Sequence, residues 1–155
     1  MCKVCDFGSS EYNLNMKLKI KKLHSDAVFP SYAKKGDAGM DIFASETLTL
    51  NPGERGLVKT GISMEFPEGY VFLVWDKSGI STKGGVTTIA GVIDSGYRGE
   101  LQIAVINLGQ EPYTFEKGKK VAQGLIQPIV QAEIEEVSEL SDSSRGEGGF
   151  GSTGV

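Results

Sequence analysis

The chain has 155 residues, of which 23% are charged and 39% hydrophobic, which suits one domain with a proper core and excludes fibrous and disordered classes. Its net charge of −4 is uneven: residues 131–155 hold six acids and one base, while residues 1–130 hold fourteen acids and fifteen bases. The near-neutral body offers no basic face to a nucleic-acid polymer, and there is neither an apolar run of about 18 residues nor a charged leader with an apolar stretch; no membrane span and no secretion are expected, and the expected compartment is the cytoplasm, or the nucleus in a eukaryotic or viral host.

Residues 1–15 lack periodicity and are expected to form a disordered extension. Cys2 and Cys5 within it make half a zinc site, and there is no second cysteine pair. His24 is the only histidine, which excludes HExxH metalloproteolysis and leaves little room for histidine-based acid–base chemistry. Chemistry must therefore fall to carboxylates, hydroxyls, backbone amides or a metal. From Met16 the pattern alternates: Met16, Leu18 and Ile20 against Lys17, Lys19 and Lys21, a half-buried strand with a lysine face. Ile62, Met64 and Phe66 alternate in the same way before the turn Pro67-Glu68-Gly69, and Tyr70 to Trp75 is a continuous apolar run that predicts a strand buried on both faces. Ile89 to Ile93 and the alternating Leu101, Ile103 and Val105 predict two strands joined through a tight turn at Ser95-Gly96. Val121 to Ile129 predicts a further strand, and no apolar stripe of helical period exceeds two turns. Short strands punctuated by Gly and Pro indicate an all-β barrel or jelly roll. After Val137 the alternation stops, and Arg145 to Val155 contains five glycines among eleven residues, too little apolar surface to order itself.

Five stretches carry candidate chemistry. Ala38-Gly39-Met40-Asp41-Ile42-Phe43-Ala44 opens a strand around one carboxylate. Lys77-Ser78-Gly79-Ile80-Ser81 offers a cation, hydroxyls and amides beside a glycine, the parts of an anion cradle. Gly91-Val92-Ile93-Asp94-Ser95-Gly96-Tyr97-Arg98-Gly99 places Asp94 at a strand end, with an aromatic ring three residues on. Gly118 to Ile126 carries Gln123, a polar amide within an apolar strand that needs a partner if buried. Arg145-Gly146-Glu147-Gly148-Gly149-Phe150-Gly151-Ser152-Thr153-Gly154 combines an arginine, exposed amides, one ring and two hydroxyls, which suits a phosphate clamp with a stacking ring. It is not a Walker A motif, because no Gly-Lys-Ser/Thr and no following helix are present.

In this order the stretches resemble the motifs of the trimeric dUTPase (deoxyuridine triphosphate nucleotidohydrolase) family over residues 16–155. The resemblance implies a dUTPase-like β-clip, a distorted jelly-roll barrel over residues 16–137, and a flexible arm over 138–155 that is exchanged within a homotrimer. It implies hydrolysis of dUTP to dUMP and pyrophosphate by a water that Asp94 activates as general base. Carboxylates are weak bases, so placement must supply much of the effect. Gly91, Val92 and Ile93 would read the uracil edge through their backbone, in a fit too narrow for a 5-methyl group, with Thr88 and Gln102 also lining the substrate site. Tyr97 would pack where a 2′-hydroxyl would sit. Lys77 (arginine in many relatives), Ser78, Gly79 and Gln123 would meet the phosphates. Arg145, Ser152 and Thr153 would close on the γ-phosphate, and Phe150 on the uracil face beside Gly151. The implied cofactor is Mg²⁺, met by Asp41 through water. Two alternatives are weighed: a dCTP deaminase of the same fold, and a nucleotide-dependent regulator that binds a protein partner.

Overall fold

The structure is a computed structural model that describes residues 16–149. The expectations for residues 1–15, including the Cys2/Cys5 pair, and for Phe150, Gly151, Ser152 and Thr153 lie outside the described residues. In chain order the elements are β1 (Lys19–Lys22), β2 (Met40–Phe43), β3 (Leu48–Leu50), β4 (Arg55–Lys59), β5 (Ile62–Glu65), β6 (Tyr70–Trp75), α1 (Ser78–Gly84), β7 (Val86–Thr88), β8 (Val92–Asp94), β9 (Gln102–Asn107), β10 (Tyr113–Phe115) and β11 (Lys120–Pro128). Every pairing is antiparallel, and the strands form four small sheets: β1-β5, β10-β3, β2-β11-β6-β8 and β4-β9-β7. Together they make the all-β distorted barrel that the short strands and close turns predict. No described helix is long and apolar enough to cross a membrane.

The core lies between the sheets, where the inward residues of β2, β5, β6 and β9 meet: Ile42, Ile62, Phe72, Ile103 and Val105 are all buried. Period 2 holds along β1, where Leu18 and Ile20 are half-buried while Lys19 and Lys21 are exposed, and the strand pairs with β5 alone. On β5 the alternation fails at Ser63, which is buried along with Ile62 and Met64. The β6 run is buried as expected through Val71, Phe72 and Val74, but its last residue, Trp75, is exposed. Asn107 is the main polar group of the core. Its amide nitrogen donates to the Leu50 and Glu111 carbonyls at 3.0 and 2.9 Å, and its oxygen accepts from the Gly109 amide at 2.9 Å, so little of its capacity is unmet.

Residues 78–84 form α1, a two-turn helix; it buries none of its residues fully, so no apolar stripe announced it, and Gly85 closes it at φ 68°. One expectation is corrected. The strands around Asp94 are not a hairpin. β8 pairs with β6, whereas β9 pairs with β4 and β7, so Ser95-Gly96 turns the chain from one sheet into another. Alternation specifies which face is buried but not which strand is the neighbour.

After β11 the described chain has no strand or helix. It leaves the barrel at Ile129, whose amide donates to Gly69 O at 2.9 Å, and then exposes Val130, Ile134 and Leu140 at 94%, 96% and 88%.

The closest internal fit is at Gly124 on β11, where a Cβ would lie 2.1 Å from the Phe72 ring. Gly124→Ala should destabilise the fold by about 1–3 kcal/mol, because the ring is surrounded and has no room to retreat. Urea unfolding of wild type and variant at one fixed protein concentration measures this.

Candidate active site

The first cluster is built across three strands. Asp41 on β2 is register partner to Gln123 on β11, which in turn faces Trp75 at the end of β6. Past that end stands Lys77, and Lys120 opens β11. Asp41 is only 4% exposed, yet it accepts from Lys77 Nζ on Oδ1 at 2.5 Å and from Lys120 Nζ on Oδ2 at 2.6 Å. Burial pushes its carboxyl up, but the two ammonium groups of Lys120 and Lys77 outweigh that and hold it below the ordinary value. Two cations against one carboxylate leave the cluster net positive, which suits an anionic ligand. Gln123 has the partner that its position demands: Nε2 donates to the Asp76 carbonyl at 2.8 Å. Ser78 and Gly79 are exposed in the first turn of α1, where amides have no acceptor within the helix.

The second cluster surrounds Asp94. Val92, Ile93, Asp94, Tyr97, Glu100 and Gln102 line a cavity of about 310 Å³. Pairing of Val71 with Asp94 sets Asp94 at the end of β8, and a turn closed by Tyr97 N–H to Asp94 O at 3.0 Å brings Tyr97 to the same cavity. The ring is fixed in turn by its hydroxyl, which donates to Glu100 O at 3.0 Å. The Glu100 carboxylate accepts from the Gly61 amide at 2.8 Å and from Gln102 Nε2 at 3.4 Å, tying the cavity floor to β5 and β9. Val92 is 70% exposed, so one apolar wall of the cavity is open.

The two clusters belong to opposite ends of β6. From the Val71 pair to the Trp75 pair is four residues, about 13 Å at ~3.3 Å per residue. The structure therefore unites Asp41, Lys77 and Gln123 and, separately, Asp94, Tyr97 and Gln102. Thr88 and Gly91 run between the two sets: the Thr88 amide donates to Asp76 Oδ1 at 2.6 Å, and the Gly91 carbonyl accepts from the Val74 amide at 2.8 Å. Arg145 bonds within its own turn, Nε to Gly148 O at 2.8 Å. A larger hollow of about 700 Å³, at the C-terminal end of α1, touches Gly79 but neither cluster.

Sequence reasoning missed three residues here. Lys120 and Glu100 stand inside or beside stretches already singled out, as one more lysine in a charged turn and one more acid after a glycine. Asp76 precedes Lys77 directly. None of the three breaks an apolar pattern, the signal that exposed Gln123.

The chain is thus an all-β barrel with a cationic cluster at one end of β6 and a carboxylate cavity at the other. The dUTPase family profile matches residues 25–154. The chain is 52% identical over 139 residues to the deoxyuridine 5'-triphosphate nucleotidohydrolase of Clostridium tetani, covering 88% of this chain and 96% of the relative. It is 51% identical over 139 residues to that of Clostridioides difficile, covering 88% and 97%. Among solved structures it superposes on a Staphylococcus bacteriophage 80alpha dUTPase with dUpNHpp at a TM-score of 0.84 and 36% identity, covering 90% of this chain and 99% of that one. A dUTPase from phage phi11 of S. aureus, described with a structural Mg(II) ion, aligns at 0.76 and 32%, covering 81% and 99%. The chain belongs to the dUTPase family.

Asp41→Asn should cost about 1–3 kcal/mol at neutral pH, since both lysines keep partial access to water. Because the folded carboxyl is held below its ordinary value of 3.8, the difference from wild type should be constant above that value and disappear as the pH falls through the lower folded one. Denaturant titrations across the acid range check the sign; a difference that grows on acidification would contradict it.

Proposed function

We propose that this enzyme hydrolyses dUTP to dUMP and pyrophosphate, with Asp94 as the general base. The observation that carries the reading is the Asp94 cavity itself, lined by Tyr97 and the β8 backbone, within a chain of the dUTPase family. Asp94 takes a proton from water. The water oxygen bonds to the α-phosphorus as the bond to the bridging oxygen breaks, and pyrophosphate leaves. Gly91, Val92 and Ile93 read the uracil edge by their backbone, with Thr88 and Gln102 beside them, and Tyr97 excludes the 2′-hydroxyl. Lys77, Ser78, Gly79 and Gln123 take the phosphates; Arg145, Phe150, Gly151, Ser152 and Thr153 close over the nucleotide. The relatives named as dUTP nucleotidohydrolases favour this reading over the dCTP deaminase alternative. For the regulator alternative, the bacteriophage 80alpha dUTPase is described as controlling transfer of virulence genes by a G protein-like mechanism, a role that would add to hydrolysis rather than replace it.

Mg²⁺ fits this donor set only as a passenger on the triphosphate. Among the described residues no group of three or more His, Cys, Asp or Glu could hold a metal, and both Asp41 oxygens carry ammonium groups. Asp41 would meet the ion through its water, and the ion would neutralise triphosphate charge. A deoxynucleotide substrate points to the cytoplasm, or to the nucleus in a eukaryotic or viral host.

We also infer a homotrimer with shared sites. Two clusters about 13 Å apart on one strand cannot both touch one reacting centre, but neighbouring subunits can juxtapose them. The exposed apolar residues Trp75, Ile89, Val92 and Leu108, and the emerging Val130 and Ile134, supply surface for such an assembly.

Asp94→Asn should leave binding of a non-hydrolysable dUTP analogue largely intact and cut turnover by about two to four orders of magnitude. Retention of more than about a tenth of the wild-type rate would remove Asp94 from the mechanism.

Sharing is tested by mixing. Asp94→Asn subunits and subunits truncated before Arg145 should each form nearly inactive trimers. Refolding an equal mixture at random gives about three-quarters hybrids, each with about one whole site in three, so about a quarter of wild-type activity should return. No recovery, with hybrids verified by native mass spectrometry, would rule out the exchanged arm.

A further inference from the structure

The link from β6 to α1 holds a carboxylate that the five stretches do not include. Asp76 Oδ1 accepts from the Thr88 amide at 2.6 Å, and Oδ2 accepts from the Thr87 hydroxyl at 2.7 Å. Its main-chain carbonyl accepts from Gln123 at 2.8 Å. Among the described residues no lysine or arginine forms a salt bridge with it. Its half-buried carboxylate is held by neutral donors alone, so its hydrogen bonds, not an ion pair, tie this turn to Thr87 and Thr88.

What the turn holds is the segment Thr88–Gly91. Two residues before Asp76, the Val74 amide donates to the Gly91 carbonyl at 2.8 Å. Gly91 is so close that a Cβ there would meet the Val74 oxygen at 2.5 Å. The segment is therefore fastened to the end of β6 at both ends, by Asp76 and by Val74. In between, the Ile89 amide is spent on Ala104 O at 3.0 Å. The segment runs straight into Val92 and Asp94, so any shift at Thr88 is passed to the cavity wall.

We propose that Asp76 is a positioning residue for the base pocket: its carboxylate fixes the height of Thr88–Gly91 above β6, and thereby both turnover and rejection of a base bearing a 5-methyl group. This rests on the dUTP reading given above. Asp76 touches no reacting atom; it acts through the backbone it holds. Asparagine can reproduce both bonds, with its oxygen accepting from the Thr88 amide and its nitrogen donating to the Thr87 hydroxyl. Glutamate keeps the charge but, longer by one methylene, pushes the segment away.

The experiment measures kcat and KM for dUTP and dTTP by pyrophosphate release, for wild type and for Asp76→Ala, Asp76→Asn and Asp76→Glu, each checked for folding by circular dichroism. The alanine and glutamate variants should lose about 10- to 100-fold in kcat/KM for dUTP, the effect of misplacement by about 1 Å, with a smaller dUTP:dTTP preference. Asparagine should recover most of both. A merely structural role would lower thermal stability and leave the preference unchanged, and that result overturns the proposal. If the alanine variant does not fold, the other pair decides: asparagine high and glutamate low supports it, while the reverse order, equal losses or wild-type behaviour in both overturns it. A wild-type enzyme inactive on dUTP defeats the functional reading and this proposal together; an active wild type with an unchanged, folded alanine variant defeats this proposal alone.

Discussion

The double pairing of β6, with β11 along one edge and β8 along the other, fixes where each half of the chemistry can stand. Register on the β11 side brings Gln123 opposite Trp75 and so beside Asp41 and Lys77; register on the β8 side brings Asp94 opposite Val71. A slip of one residue on either side would turn a functional side chain to the wrong face. The site is thus positioned by backbone pairing in the rigid part of the barrel, and loops only present what the strands have aligned. The Phe72 ring, seated over Gly124 between those two edges, is the packing counterpart of that register.

Electrostatics then works on a frame that is already set. Asp41 is costly to bury alone, and its two lysines remove that cost while being held by it. In the free protein the ammonium groups are thereby preorganised and only partly neutralised. On the proposed reading a triphosphate would meet cations that need little reorganisation but would compete with Asp41 for them. Lys77 is a point charge on a flexible stem, held by its ion pair with Asp41 and without the planar fork that an arginine would bring.

Much of this was legible from residue order and some was not, for physical reasons. Alternation at Met16 to Lys21 and the apolar run at Tyr70 to Trp75 gave strands, because burial of one or both faces writes itself into composition. Partner choice does not, which is why Ile89–Ile93 and Leu101–Val105 read as a hairpin although they serve different sheets. α1 was invisible because a helix without a fully buried side chain has no stripe. Asp41, Asp94 and Gln123 stood out as polar residues in or at the ends of apolar strands. Glu100 and Lys120 did not, since each is a charge in an already polar turn; Asp76 ends the apolar run of β6 but was passed over beside Lys77, and it acquires meaning only from its bonds.

The same geometry explains why one chain carries its chemistry in separated pieces. A rigid strand delivers precision at each end but cannot bring its own ends together. Lys77 and Asp94 lie on opposite sides of that limit. In the proposed trimer a second copy would supply the missing half, and assembly would be a condition of activity. Trp75, Ile89 and Val92 leave apolar surface exposed that such a copy could cover. In that proposed arrangement the fastening of Thr88–Gly91 to β6 through Asp76 would matter more, because an error in the segment would displace a wall that a neighbouring subunit's contacts would have to match.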